Sequence, residues 1–358
     1  MNRHILAAPA LLLVALSIAA PPASATTSGR SAGTGQIIWV NAPGPGEPGS
    51  LLIAKPNGQN QRELTAPAAN HNDTDPAISP NGEHVIFTRY DDTRDGLADI
   101  RLLSTHGGSP VALDLGCTGN CLDDERATWI ADDRIAWTRY ILDASYQPFG
   151  IAGVLYTGHI GDGTVTDVER LSPIDPNGDG AWEDAYARPT ADGRYFVFER
   201  FDLNNGPGAA FRMRPDGSGL AQLTPWSLNA DLAHPSPATS GPTTGLVVFQ
   251  TFGKDNPTGT SRDLATVPVT CTSLAACTSA IHYVTNNGMG TGRASTPAWS
   301  PNGKRIAFTG RPSVNDPNAE VITIKYDGTD PRLVSTSPRF DYRPDWGRSL
   351  PEGAVPGD

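Results

Sequence analysis

Two distant stretches of the chain share one pattern, Asp75-Pro-Ala-Ile-Ser-Pro-Asn-Gly82 and Thr296-Pro-Ala-Trp-Ser-Pro-Asn-Gly303. Each is followed directly by an apolar run, residues 85–90 and 306–309. Pro fixes φ at the first corner of a turn, and Gly accepts the backbone conformation that side chains resist. The pattern therefore predicts a strand, a tight turn and a second strand, and its recurrence indicates an internal repeat.

Weaker copies of the pattern lie between and after these two. Three of them place a Pro- or Trp-containing segment before an apolar strand: 127–133 before 135–140, 188–193 before 195–198, and 234–238 before 246–249. A fourth segment, 343–346, has no strand after it. The strand Ile37-Ile-Trp-Val40, in contrast, has no such segment before it. Six strands and six segments, offset by one, are what a ring closed by its own termini requires.

The repeat length of about 48–60 residues is typical of propeller blades. We therefore expect an all-β fold, a six-bladed β-propeller of four-stranded antiparallel blades. Residues 343–346 should supply the innermost strand of the blade that begins at residues 36–40. Further hairpins are indicated by Asn-Gly and Asp-Gly turns, which need positive φ, at 57–58, 216–217 and 327–328. Trp129, Trp299 and Trp346 recur at one repeat position and should pack between blades.

The N-terminal residues have the pattern of a signal peptide. Arg3 and His4 precede an apolar run over residues 5–20, and Ala23-Ser-Ala25 forms an A-x-A cleavage site. A retained membrane anchor is the alternative, although the apolar run is short for a membrane span. We expect a signal peptide at 1–25, a short linker at 26–35, the propeller at 36–347 and a flexible tail at 348–358. The mature protein should be an exported monomer in the extracellular, periplasmic or cell-wall space, without membrane insertion.

The charge of the chain argues against nucleic acid as a partner. The formal net charge is −11 and becomes −12 when Arg3 is removed with the signal peptide. An acidic protein repels phosphate backbones and anionic lipid surfaces.

The four cysteines form two close pairs, Cys117 with Cys121 and Cys271 with Cys277. Export makes disulfides plausible, and local pairing is the simplest of the three connectivities. Cys271 and Cys277 replace the Gly turn of the fifth repeat, so a disulfide should hold that hairpin. Zinc is the competing interpretation, but neither pair has C-x-x-C spacing.

The repeat resembles that of the TolB-like, WD-type propeller family over residues 35–347. The resemblance is most specific at 75–82 and 296–303. It implies a six-bladed propeller that binds protein partners through the mouth of its central channel. TolB also carries a domain ahead of its propeller, and we expect that domain to be missing here.

Function in a propeller is placed at the channel mouth, on loops that lead into the innermost strands. The residues expected there are Asp75, Arg126, Arg188, His234, Thr296 and Arg343, with His71 beside them. Three arginines in one ring could clamp a carboxylate or phosphate. Alternatively, they pair with Asp75, Asp124, Glu125, Asp184 and Asp341 and merely close the channel.

The segment from Asp175 to Asp184 resembles an EF-hand-type calcium loop. Its oxygen ligands would be Asp175, Asn177, Asp179 and Glu183. Tyr186 stands where the loop normally has a bidentate Glu, and a polar loop between blades is the alternative. Ca²⁺ is therefore a candidate cofactor.

The sequence contains no His-Glu-x-x-His motif of the kind that metalloproteases carry. We expect a non-catalytic binding protein that takes a protein partner or a small anionic ligand at the channel mouth. The alternative is a carbohydrate-active lyase or glycosidase that uses His71 and His234.

Overall fold

The computed structural model describes residues 35–94, 96–142, 150–172, 182–203, 206–252, 261–287, 292–311, 318–335 and 337–349. These residues form 24 β-strands, one short α-helix and two 3₁₀ helices of three residues. The prediction of an all-β fold is confirmed. No described helix has the length and apolar character that crossing a membrane requires.

The strands pair in consecutive antiparallel groups of four, which we number I to VI. Group I contains β24 (Phe340–Gly347), β1 (Gln36–Ala42), β2 (Ser50–Ala54) and β3 (Arg62–Glu63). Group II contains β4 (His71–Ile78), β5 (His84–Asp91), β6 (Leu97–Ser104) and β7 (Val111–Ala112). Group III contains β8 (Cys121–Ala131), β9 (Arg134–Leu142), β10 (Ile151–Ile160) and β11 (Val165–Arg170). Group IV contains β12 (Trp182–Pro189), β13 (Phe196–Asp202), β14 (Gly208–Met213) and β15 (Ala221–Gln222). Group V contains β16 (Asp231–Pro235), β17 (Leu246–Phe252), β18 (Arg262–Pro268) and β19 (His282–Tyr283). Group VI contains β20 (Arg293–Trp299), β21 (Arg305–Arg311), β22 (Glu320–Lys325) and β23 (Arg332–Leu333).

Single parallel pairs connect some neighbouring groups. Gly153 of group III lies opposite Glu183 of group IV, and Arg262 of group V lies opposite Arg293 of group VI. These pairs merge groups III and IV, and groups V and VI, into two eight-stranded sheets.

Group I combines the two ends of the described chain. Its first strand, β24, pairs antiparallel with β1, so that Ile37 lies opposite Trp346 and Val40 lies opposite Tyr342. The predicted pairing of residues 37–40 with residues 343–346 is therefore present.

The core is built from the second strand of each group and from the tryptophans. An aromatic side chain stands at one shared register position of these strands: Trp39, Phe87, Trp137, Phe198, Phe249 and Phe308. Trp129 Nε1 donates to the carbonyl of Ala77, and Trp299 Nε1 donates to the carbonyl of His234, at 2.9 Å in both cases. Each indole thus bonds to the first strand of the preceding group, as predicted for residues packed between blades.

Both predicted disulfides are present, and the Cα atoms of the two cysteines are 5.3 Å apart in each. The hairpin of group V differs from the prediction of a simple turn, however. A short helix, α1 (Leu274–Ser279), lies between β18 and β19, and Ser273 Oγ caps it by accepting the Ala276 N–H. The Cys271–Cys277 bond therefore ties down a helical insertion.

Candidate functional site

Each first strand contains a β-bulge at which one residue has positive φ. The six residues have φ between 51° and 56°: Asp75, Arg126, Tyr186, Leu232, Thr296 and Arg343. None of them is Gly, and left-handed backbone costs a side chain about 1–2 kcal/mol. A bulge re-aims the side chain of its strand, and the surrounding structure must hold this strained conformation in place.

The bulges surround one small cavity of about 40 Å³, which has room for only a few water molecules. All six first strands line it, through Asp75, Pro76, Ala127, Tyr186, Arg188, Leu232, Thr296, Pro297, Arg343 and Pro344. The space where the first strands converge is therefore almost filled by side chains.

One side of the cavity is held by Asp75, Tyr186 and Arg343. The Tyr186 hydroxyl donates to Asp75 Oδ1 at 2.8 Å, and Arg343 Nη1 forms an ion pair with the same oxygen. Burial raises the pKa of Tyr186, so its hydroxyl stays protonated and keeps donating. Asp75 Oδ2 is buried and accepts no hydrogen bond from the described residues. The carboxylate is thus compensated at one oxygen only.

A second network compensates Arg126. Its guanidinium forms an ion pair with Glu183 and lies over the rings of Tyr140 and Tyr186, 5.9 and 5.5 Å from their centroids. The Tyr140 hydroxyl donates to Glu183 Oε1 at 2.8 Å. Arg126 Nε also lies 3.6 Å from Glu125. Arg126 is therefore engaged on several sides and is not free to bind an added anion.

Arg188 differs from these two arginines. It lies two residues beyond the bulge of β12, lines the same cavity and makes no hydrogen bond or ion pair with the part of the chain that the structure describes. Its charge acts on His234 and Asp345, which occupy the matching positions of groups V and I. Asp345 Oδ2 already accepts the Ile78 N–H at 2.8 Å. Arg188 is therefore a cation at the cavity whose donors make no hydrogen bond to the described residues.

The two histidines expected at the mouth have separate structural partners. His234 Nδ1 accepts the Trp299 N–H at 2.9 Å, and burial, aided by the charge of Arg188, lowers the pKa of His234 well below its usual range. His71 begins β4, and its Nε2 lies 3.6 Å from Asp91. The arrangement that the enzyme alternative requires, with both imidazoles directed at one substrate, receives no support from these contacts.

Tyr186 and Leu232 occupy the positions equivalent to Asp75, at which the sequence pattern predicted Arg188 and His234. The error came from matching prolines, because Pro189 and Pro235 align with Ile78 and not with Pro76. In groups II, IV, V and VI the correct signal is the Ser or Thr that begins the hairpin turn and whose N–H bonds across it: Ser79, Thr190, Ser236 and Ser300. Counting back four residues from each one finds the bulge.

The expected pairing of the ring arginines with five acids is correct for Asp75 and Glu125 and wrong for the other three. Asp124 pairs with Arg139, and Asp184 pairs with Arg200. Both partners come from the neighbouring second strand, which lies closer than the arginines at the bulges. Asp341 instead accepts hydrogen bonds from Trp39 Nε1 and Asn41 Nδ2 at 3.0 and 2.6 Å.

The proposed calcium ligands Asp175, Asn177 and Asp179 lie outside the described residues. Glu183 is described, and its Oε1 is bound by Arg126 and Tyr140. Calcium binding stays a prediction. Within the described ranges, one group offers three ligand atoms close together, namely Cys117, Cys121 and Asp124, but its two cysteines are joined in a disulfide.

Glu199 is a buried carboxyl beside the bulges. It replaces the Thr that groups II, III and VI have at this position, Thr88, Thr138 and Thr309. Glu199 Oε2 accepts the Leu232 N–H, whereas Oε1 is buried and has no hydrogen-bond partner among the described residues. Burial, followed by the negative charge of Asp231, raises the pKa of Glu199 well above its usual range. The fold therefore favours the protonated acid.

Glu199→Gln should stabilise the protein at pH 8 by about 1–2 kcal/mol, because the buried carboxyl must there take up a proton or carry an uncompensated charge, whereas the amide is neutral. The amide keeps the acceptor for Leu232 and adds a donor for Asp231. Because the folded pKa is raised, the contribution of Glu199 is complete below the ordinary carboxyl pKa and is lost as the pH rises through the folded value. The advantage of Gln should thus shrink at pH 5. Urea unfolding at both pH values tests this, and an equal difference at the two pH values would contradict it.

Comparison with solved structures defines the architecture, whereas no family model and no curated protein matches the chain. TolB from Acinetobacter baumannii aligns over 88% of this chain and 67% of its own, with 16% identity and a TM-score of 0.60. A putative TolB from Agrobacterium tumefaciens aligns over 87% of this chain and 98% of its own, with 16% identity and a TM-score of 0.56. A chain of a nidogen/laminin complex aligns over 87% and 98%, with 12% identity and a TM-score of 0.55.

The fold is a TolB-like β-propeller. At these identities the likeness concerns the fold alone. In a propeller, the first strand of each blade borders a central channel. The cavity among the six bulges is lined by these first strands, and the charged networks described above lie beside it.

Proposed function

We propose that groups I to VI are the blades of a closed six-bladed propeller and that the protein is an exported, non-catalytic binding protein. Side-chain contacts between neighbouring groups support the ring. In group VI, Thr309 Oγ1 accepts the N–H of Arg343 in group I, and Asp345 of group I accepts the N–H of Ile78 in group II. Contacts of this kind continue through Trp129 to Ala77, Arg126 to Glu183, Glu199 to Leu232 and Gln250 to Thr296.

The two disulfides support export, because such bonds persist in oxidising compartments and are rare in the cytosol. The compartment we propose is the periplasm, the cell-wall space or the extracellular medium.

We place ligand capture at the channel mouth. The channel cavity of about 40 Å³ has room for only a few water molecules, so a larger ligand would bind at its opening. The observation that carries the proposal is Arg188, a guanidinium that lines this cavity without an ion-pair partner among the described residues. Such a group binds a carboxylate or phosphate in a bidentate way. The proposed ligand is an anionic group of a protein partner or a small anion. One of the similar structures is itself a complex of two proteins, nidogen and laminin.

Arg188→Gln should weaken the binding of a glutamate-rich peptide or of succinate at least tenfold, because loss of a charged hydrogen-bond donor costs about 1.5–3 kcal/mol. Isothermal titration at low salt measures the change. Arg332→Gln is the control, since it removes the same charge from the exposed outer strand β23. Equal affinities of the wild-type protein and Arg188→Gln would contradict the proposal, as would an equal loss in the control.

A further inference from the structure

A cavity of about 380 Å³ lies between groups III and IV, away from the channel. The cavity lies at the C-terminal end of β12, beyond its bulge. It is bordered by the hairpin turn at Thr190 and Gly193 and by the β14–β15 turn at Pro215. This volume falls within the range of sites that bind small organic molecules.

The repeat itself shows why the space is open here. A Cβ on Gly82, in the matching turn of group II, would lie 2.5 Å from the carbonyl oxygen of Arg348 in the chain that follows β24. A Cβ on Gly303, in group VI, would lie 2.8 Å from Ala238 in the long turn of group V. A Cβ on Gly193 would meet nothing within 4 Å. The preceding hairpin of group III has only Asp132 and Asp133 between its strands, so no residue of that described turn fills the gap.

The lining combines cationic groups with an apolar floor. The lining includes two guanidinium groups, Arg134 and Arg170, and one exposed carboxylate, Glu169, in a chain whose net charge is −11. Arg134 Nη2 donates to Thr157 Oγ1 at 3.0 Å, while its Nε is buried and has no hydrogen-bond partner among the described residues. The apolar surface comes from Ile130, Leu171, Pro189, Tyr195, Phe196 and Pro215.

We propose that this cavity is a second ligand site, which binds a small organic acid with an apolar ring. The ring would pack on the apolar floor, and the carboxylate would accept from the guanidinium of Arg134. A hydrogen bond between a guanidinium and a carboxylate is charge-assisted and is about twice as strong as a neutral one. The site does not depend on the channel, since it shares no lining residue with the channel cavity.

Titration with phenylacetate, followed by calorimetry, tests the site, with the neutral phenylacetamide as the matched probe. Besides any binding at the channel mouth that Arg188→Gln removes, the wild-type protein should bind one phenylacetate saturably and bind phenylacetamide at least tenfold more weakly. Arg134→Gln should weaken phenylacetate binding at least tenfold. Ala191→Trp, which changes an exposed residue on the cavity wall, should abolish binding by filling the space.

Arg188→Gln separates this site from the channel mouth and should bind phenylacetate with wild-type affinity. Thermal melts confirm that each variant is folded, and Ala191→Trp serves as an independent test if Arg134→Gln does not fold. The proposal is overturned if the wild-type protein shows no saturable binding or if Ala191→Trp binds normally. Binding that is lost only in Arg188→Gln also overturns it, because the probe would then occupy the channel mouth.

Discussion

Arg343→Gln should lower the free energy of unfolding by about 3 kcal/mol. The substitution removes the cation that pairs with Asp75, whose side chain is only 4% exposed and whose Oδ2 already lacks a described partner. Breaking a buried ion pair from one side costs about 3–5 kcal/mol, because an uncompensated charge remains. We expect the lower end of this range, since one third of the Arg343 side chain is exposed. Gln keeps a side chain at the positive-φ position, so backbone strain is unchanged.

Urea unfolding of three variants tests this expectation. Asp75→Asn combined with Arg343→Gln should recover part of the loss, because no buried charge is then left unpaired. Arg188→Gln should cost clearly less than Arg343→Gln, since Arg188 forms no ion pair with the described residues and acts on the buried Asp345 through its charge alone. If Arg343→Gln were as stable as the wild-type protein, the Asp75–Tyr186–Arg343 network would have no role in holding the channel.

Gly328→Ala should destabilise the protein by about 3 kcal/mol or more. Gly328 has φ of 81°, and a Cβ there would lie 2.3 Å from the carbonyl oxygen of Val284 in the preceding group. Left-handed backbone costs an L-residue about 1–2 kcal/mol, and the clash adds to it because neither backbone can withdraw cheaply. The turn is thus also a contact between neighbouring groups.

Gly46→Ala provides the matched control. Gly46 has nearly the same φ, 80°, and a Cβ there would meet nothing within 4 Å. It should cost only the conformational part, about 1–2 kcal/mol. Thermal melts of the two variants, compared with the wild-type protein, isolate the clash. Equal losses would show that the approach of Gly328 to Val284 does not limit the packing of the groups.

The strands and turns could be predicted from the sequence because their signals are local. Asn-Gly and Asp-Gly turns, the repeated Ser-Pro-Asn-Gly element and the alternation of apolar residues each depend on a few neighbouring residues. The pairing of β24 with β1 followed from counting, since one strand lacked a partner at each end of the chain. The second role of Gly58 and Gly328, close approach to the preceding group, depends on distant residues and could not be read from the turn pattern.

The channel was harder to predict because its geometry depends on a bulge. An extra residue shifts which side chain faces inward, so matching Pro189 and Pro235 to Pro76 moved the assignment by two positions. The sequence also could not say which arginines would be neutralised. Arg126 and Arg343 are bound by acids that come close only in the folded protein, whereas Arg188 forms no ion pair with the described residues. The helix α1 between β18 and β19 was missed because a six-residue helix has too weak a pattern to distinguish it from a turn.

A cross-link between the two terminal strands tests the closed ring most directly. Ala42 lies opposite Phe340 in the β1–β24 pairing, so Ala42→Cys with Phe340→Cys should form a disulfide. Intact-mass analysis should find this third disulfide, and the melting temperature should rise, because the bond closes a loop that spans most of the chain. Ala42→Cys with Arg348→Cys should stay reduced, since Gly347 lies opposite Gln36 at the other end of the pairing. Free thiols in the first variant, or equal cross-linking in both, would contradict the ring on which the channel and its ligand site depend.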